Sequence, residues 1–384
     1  MGLLRLFLAI SVLATHLNHG RGIFGLGFLN GGLAVQCFFI ISGFYMALVL
    51  NEKYNYRGSY WTFIQQRFLR LYPLYFAVGI LILVVEGAIT YATSRPCGIY
   101  EVWGTGPRHL TPLSLCYYVL VNLVILGQDS LAFLYQDKVT GRLYLTPYPV
   151  PHATECLWYI LNVPTWTLAI ELTFYLAAPF LVRKPAPVQA AFILASFALR
   201  SACYFSMGPQ LSTPWIYYFS PSTLFFFMAG SLGYHFYKRN RDGFEKFAAT
   251  HTWIFWVFGV FILMESRMPY RDFLPFLFVP AAIVVVPLLF ARTHLSKRDR
   301  LIGELSYPYY LIHYHVIVVA EYFLQRSHDA IFGPLCAALT FGLAALLYWL
   351  IEIKAERYRE QLFQRAKKRS GLFPVHSVTG KNVA

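Results

Sequence analysis

The chain has 384 residues, 57% of them hydrophobic and only 13% charged, with a mean hydropathy of +0.50. A water-soluble domain carries about 25% charged residues, so lipid has to be the solvent for much of this surface. The net charge of +14 would suggest nucleic acid in a soluble protein; here the bias of basic residues toward inner-side loops accounts for it, and no nucleic-acid partner is expected.

In chain order, apolar stretches of membrane-helix length fall near 3–17, 29–50, 70–92, 115–134, 163–182, 187–206, 218–237, 252–265, 273–291, 307–324 and 333–353. The first superficially resembles a signal peptide, with Arg5 ahead of an apolar run. However, His16, Asn18 and His19 stand where the small residues of a cleavage site belong, so it is read as the first membrane helix. Eleven crossings would put the two ends on opposite sides. The basic residues fall mostly on one side only if 115–134 does not complete a crossing. That side then collects Arg5, Lys53, Arg57, Arg67, Arg70, Arg183, Lys184, the run Lys238–Lys246, the run Arg292–Arg300 and the basic tail. The expectation is therefore an all-α membrane bundle of ten crossings, with both termini cytoplasmic and an external or re-entrant excursion over about 93–162. Residues 1–353 form one transmembrane domain and 354–384 a basic cytoplasmic tail. The six cysteines show no metal-ligand or redox spacing, so no metal is expected. Cys97, Cys116 and Cys156 fall in one external region, where a disulfide is one option and free thiols another.

Ionisable groups inside apolar spans are costly and point to function. Arg5 and His16 stand eleven positions apart on the first helix, which at about 100° and 1.5 Å per residue puts them near one face and roughly 16 Å apart. An inside-facing cation and a histidine bonded to a carbonyl are the plain alternatives. Arg67 and Arg70, at i and i+3, place two guanidiniums on one face at a cytoplasmic mouth; such forks suit phosphates, although ordinary inner-side charges explain the spacing equally well. Glu171 lies in an apolar span with no basic neighbour in sequence, so it needs a partner from another helix. His313 and His315 lie in a helix read as opening at Ser306-Tyr307-Pro308, with a serine cap and a first-turn proline. Ser42-Gly43 is read as a small-residue helix contact, since no nucleophile motif frames it.

Together these pieces resemble the membrane acyltransferase-3 family. The resemblance rests on Arg5 with His16, Phe38-Phe-Ile-Ile-Ser-Gly-Phe44, Arg67-Phe-Leu-Arg70-Leu-Tyr-Pro73, Trp166-Thr-Leu-Ala-Ile-Glu171-Leu-Thr-Phe-Tyr175 and Gly303-Glu-Leu-Ser-Tyr-Pro-Tyr-Tyr310-Leu-Ile-His313, in that order. Gln66 departs from a common R-R-x-x-R version, and Thr167 replaces the usual serine. The match thins over 93–160 and 185–300. The resemblance implies a ten-helix bacterial inner-membrane enzyme that moves an acyl group, most often acetyl, from acyl-CoA to a hydroxyl of a surface polysaccharide, lipid-linked glycan or similar acceptor. By position it implies Arg5 and His16 as the essential first-helix pair, Arg67 and Arg70 as the cytoplasmic arginine pair, and Glu171 as the family's glutamate.

The chemistry follows. His16 is the expected general base on the acceptor hydroxyl, Glu171 the group that orients its imidazole, and Arg5, Arg67 and Arg70 the holders of the CoA phosphates. His313, Trp166 and Tyr310 are acceptor-side candidates. An acyl-His16 intermediate uses the same residues. No permanently bound cofactor is expected; acyl-CoA, a carbohydrate or glycolipid acceptor and membrane lipid are the expected partners. The alternative is a transporter or flippase for a glycan or anion, using the same buried charges as its path.

Overall fold

A computed structural model describes residues 1–17, 22–26, 28–56, 58–105, 110–146, 153–265, 274–324 and 330–369. Asn18, His19, Arg57 and the tail beyond 369 lie outside the described residues. The helices are α1 (Gly2–His16), α2 (Gly31–Glu52), α3 (Ser59–Thr93), α4 (Ile99–Thr105), α5 (Pro112–Val124), α6 (Trp166–Leu181) and α7 (Ala186–Leu211). They continue as α8 (Ser220–Arg239), α9 (Arg241–Thr250), α10 (Trp253–Met264), α11 (Leu274–Thr293), α12 (Lys297–Leu324), α13 (Phe332–Leu347) and α14 (Ile353–Arg369). A π-helical stretch, Tyr348–Glu352, joins α13 to α14, so the boundary expected at 353 falls inside one continuous rod.

The protein is an all-α, multi-pass membrane protein. Among the described residues five helices are long and apolar enough to cross a bilayer: α2, α3, Ala186–Gly208 of α7, α11 and the α13–α14 rod. The number is six if α9 and α10, bent by 72°, form one broken span. Length and composition thus account for five or six crossings, against the ten expected from charge. Helices such as α1 and α6, with 15 and 16 residues, are shorter than a simple span.

The stretch expected near 115–134 is not one helix. Helix α5 has 13 residues, a rise of about 20 Å against a hydrocarbon core of about 30 Å. Beyond it the chain turns at Gly127, with φ +89°, and enters a three-stranded antiparallel sheet. Its strands are β1 (Leu134–Asp137), β2 (Leu143–Leu145) and β3 (Ala153–Glu155), in the order β2-β1-β3. Asp137 Oδ1 accepts the backbone N–H groups of Val139 and Thr140 at 2.8 and 2.6 Å and so closes the β1–β2 hairpin. Cys97, Cys116 and Cys156 are all free thiols here.

One expected helix start is overturned. Helix α12 begins at Lys297 and runs through Pro308 without ending, so Ser306 is no N-cap. Its hydroxyl instead donates to the carbonyl of Gly303 at 2.6 Å. Back-bonding of this kind and packing against neighbours let a membrane helix carry an interior proline.

Glycines set the spacing of the bundle where helices cross. A Cβ on Gly43 of α2 would lie 1.9 Å from the carbonyl oxygen of Phe227 in α8, and one on Gly230 of α8 would lie 1.9 Å from that of Ile40 in α2. The two backbones therefore touch reciprocally, the contact expected of Ser42-Gly43. A second crossing joins α1 to α12, where a Cβ on Gly2 would lie 1.6 Å from the Asp299 carbonyl. There the Asp299 carboxylate accepts the N–H groups of Gly2 and Leu3 at 2.8 and 3.0 Å and caps α1 from another helix. Burial works against its ionisation, but those N–H donors and the Met1 ammonium outweigh it and hold the carboxyl below its usual range.

Gly230→Leu should force α2 and α8 apart, at a cost of about 1–3 kcal/mol or more for the overpacking. The expected result is a lowered thermal midpoint in detergent. Gly259→Ala, a position with open space around its Cβ, serves as the neutral comparison.

Candidate active site

Helices α1, α2, α3, α6, α11 and α12 enclose a cavity of about 520 Å³. Arg5, Arg67, Arg70, Glu171 and Tyr310 all line it. Five of the eight residues given a site role from sequence thus meet at one place, although they come from α1, α3, α6 and α12. Met1, Thr293, Ser296, Asp299 and Arg300 line it at the end of the bundle where α11 turns into α12, the end we call its mouth. His16, Trp166 and His313 do not line the cavity.

The three guanidiniums facing this space have no carboxylate partner. No carboxylate of the described residues lies within salt-bridge distance of Arg5, Arg67 or Arg70. Arg67 is stacked rather than bridged, its guanidinium 5.6 Å from the Phe63 ring and 5.9 Å from that of Tyr175. Its Nε is buried without a hydrogen-bond partner.

The carboxylates that line the cavity are engaged elsewhere. Glu171 Oε1 accepts the Ser42 hydroxyl at 2.7 Å and also the hydroxyl of Tyr175, one turn along α6. Glu304 Oε2 accepts the Tyr348 hydroxyl at 2.6 Å, and Asp299 caps α1. Cations left without partners in a low-dielectric wall call for an anionic ligand.

The inner end of the cavity is a hydroxyl pair. Thr167 Oγ1 and the Tyr310 hydroxyl lie 2.9 Å apart, and each also reaches the carbonyl of Pro164, at 3.0 and 2.9 Å. Beyond Tyr310 come two imidazoles. The His313 ring lies 5.6 Å from that of Tyr310 and 5.4 Å from that of His16. His313 Nδ1 stands 2.6 Å from the Tyr310 carbonyl. A carbonyl only accepts, so Nδ1 carries the hydrogen, and in the neutral ring Nε2 is left with a lone pair. That Nε2 is fully buried and has no partner. His16, at the last turn of α1, also faces Tyr314 at 5.3 Å. Among the described residues its imidazole has no hydrogen bond.

This geometry corrects one expectation. Glu171 is bonded to Ser42 and Tyr175, not to His16, so it does not orient that ring. The ring neighbours of His16 are His313 and Tyr314. Trp166 packs against Tyr217 and Tyr218, with centroids 4.8 and 4.4 Å away, outside the cavity.

Sequence reasoning passed over three residues. Ser42 was read only as a helix contact, and Tyr175 only as part of a motif, although the i, i+4 relation to Glu171 was visible. Glu86 was ignored despite being a carboxylate within an apolar span. Its Oε1 lies 2.6 Å from His315 Nδ1, while its Oε2 accepts the Ile99 N–H at 2.7 Å. Gly98, with φ +56°, makes room for it, since a Cβ there would lie 2.2 Å from Glu86 Oε2.

Comparison with known proteins gives a consistent result. Residues 1–349 match the family model described as an acyltransferase domain. Nodulation protein 10 of Rhizobium leguminosarum bv. viciae is 28% identical over 94% of each chain. The acyltransferase MdmB of Streptomyces mycarofaciens is 24% identical over 82% of this chain and 77% of its own length. The O-acetyltransferase OatA of Staphylococcus aureus is 25% identical over 96% of this chain, which spans 59% of that protein. No solved structure matches.

An anion that fills the cavity should stabilise the folded protein by mass action, by about 2.7 kcal/mol at a hundredfold excess over its dissociation constant. A pyrophosphate-bearing nucleotide such as ADP is therefore expected to raise the thermal midpoint of the purified protein. Arg67→Gln with Arg70→Gln should abolish that rise.

Proposed function

The chain belongs to the acyltransferase-domain family, and on that premise we propose that it moves an acyl group, acetyl foremost, from cytoplasmic acyl-CoA to a hydroxyl of a surface polysaccharide, lipid-linked glycan or similar acceptor. The observation that carries the proposal is the cavity with three unpaired guanidiniums toward one end and an imidazole pair past the other. Arg5, Arg67 and Arg70 hold the donor phosphates, for which guanidinium forks are suited. The pantetheine arm then lies along the cavity toward Thr167 and Tyr310. An offset of roughly 16 Å between Arg5 and His16 along α1 is about the reach of that arm.

His16 acts as general base. Its imidazole takes the proton of the acceptor hydroxyl as the oxygen attacks the thioester carbonyl. The carbon–sulfur bond breaks, and the CoA thiolate takes up the proton from the imidazolium. His313, packed against His16 with a free Nε2, shares the task of holding that proton. Glu171 fixes the Ser42 and Tyr175 hydroxyls in the donor wall. A transporter reading draws no support from the family.

The mouth of the cavity faces the cytoplasm of a bacterial inner membrane in this reading, and the helices complete ten crossings with both termini inside. The charge distribution supports this orientation. It is tested with single cysteines introduced into a variant whose exposed Cys116 is replaced: a membrane-impermeant maleimide applied to intact cells should label Arg142→Cys and leave Lys184→Cys unlabelled. The reverse pattern contradicts the orientation.

His16→Ala should leave the protein folded and still able to bind donor, with transfer reduced by about 10²–10⁴. His16→Gln should not restore it, because an amide cannot take up the proton. Normal acylation of the acceptor by a well-expressed His16→Ala variant would move the base to His313.

A further inference from the structure

The C-terminal helix is no loose basic tail. Helix α14 packs along α3, where Gln66 Nε2 donates to the backbone carbonyl of Arg359 at 2.9 Å. Phe363 is buried against Tyr54, their ring centroids 5.5 Å apart. The docking brings together cations from three elements: Lys53 after α2, Arg67 and Arg70 on α3, and Arg359 on α14. Arg359 is only 8% exposed, and its Nε is buried with no hydrogen-bond partner, as is the Nε of Arg67. Its contact with the exposed Glu356, at 3.9 Å, is at the limit of an ion pair. Lys53 lies 4.0 Å over the Phe363 ring and 3.6 Å from Glu360. The buried Glu352 lies close enough to interact electrostatically with Arg70 and Arg359, yet its Oε1 has no partner.

Packing a buried arginine beside two others costs repulsion and desolvation that a surface helix does not have to bear. Two guanidinium N–H groups aimed into closed space without acceptors add to that cost. A strongly charged oxyanion held among them removes both penalties.

We propose that Arg359 and Lys53 form, with Arg67, a second phosphate subsite that recognises the terminal phosphomonoester on the nucleotide end of the donor, the 3′-phosphate of CoA. The inference rests on the reading of the donor as an acyl-CoA. An acyl-CoA carries its acyl group and its nucleotide at opposite ends. With the acyl end at Tyr310, the nucleotide lies toward Arg67 and Arg70 on α3, the helix against which α14 packs. A phosphomonoester bears between one and a half and two negative charges at neutral pH, more than either phosphate of a pyrophosphate linkage, and it gives three acceptor oxygens to the unpartnered N–H groups. Helix α14 then belongs to the donor site rather than to a separate tail.

The test compares binding of CoA and 3′-dephospho-CoA to the full-length protein in detergent. The wild type should bind CoA about tenfold to a hundredfold more tightly, the range expected for hydrogen bonds to charged groups. Arg359→Gln and, separately, the half-exposed Lys53→Gln should shrink that ratio by weakening CoA binding while dephospho-CoA binding stays unchanged. Equal affinity of the wild type for the two nucleotides overturns the inference while leaving the donor reading intact. Variants that lose both ligands in proportion also overturn it, since a packing role alone does that. A wild type that binds neither nucleotide overturns the donor reading, and the inference with it.

Discussion

Arginine can stand in a membrane protein without a carboxylate beside it only where water or an anionic ligand takes the carboxylate's place. Arg5, Arg67 and Arg70 meet that condition around one cavity, and much of the surrounding structure serves to keep them in it. The carboxylates that line the cavity with them are held by other tasks. Glu171 is tied to Ser42 and Tyr175, Glu304 to Tyr348, and Asp299 to the first turn of α1. Each of these bonds therefore does two things: it satisfies a buried oxygen and leaves a guanidinium without a carboxylate beside it.

The positions of those groups depend on close backbone contact more than on side-chain size. Gly2 against Asp299 sets α1 on α12, and this crossing places Arg5 at the mouth and His16 beside His313. Gly43 against Phe227 and Gly230 against Ile40 set α2 on α8, which presents Ser42 to Glu171. Helix α14 packs along α3, where Gln66 meets the Arg359 carbonyl, so a segment outside the apolar part of the chain lies against the helix that carries Arg67 and Arg70. The guanidinium end and the imidazole end are thereby fixed to the same few helices, and a change in one crossing moves both.

Much of the site was legible because the sequence shows where an apolar chain tolerates a charge. Glu171 stood out on that ground, Arg5 by its spacing from His16, and Arg67 and Arg70 by their i, i+3 spacing; the structure brings these four to one cavity. What the sequence concealed was partnership across helices. Glu171 looked like the natural orienting group for His16, yet the residue that meets it is Ser42 of α2, a contact with no signature in the sequence linking the two residues. Pro308 read as a helix start because a serine preceded it; in lipid, the serine serves the interior of a continuous helix instead. Glu86 broke the same rule that exposed Glu171 and was overlooked, although its pairing with His315 links α3 to α12. The sheet over 134–155 was hidden by aromatic residues that suit strands and membrane helices alike.

The central claim is that donor and acceptor reach one reaction path from opposite faces of the membrane, the donor through the arginine-lined mouth and the acceptor at His16. It is tested most directly in sealed proteoliposomes of one orientation, with labelled acetyl-CoA supplied to a single face and a glycan acceptor to the other. The account predicts transfer only when the donor is on the face carrying Arg67 and Arg70 and the acceptor is on the opposite face. Equal transfer with both substrates on one side, or with the two faces exchanged, would contradict it.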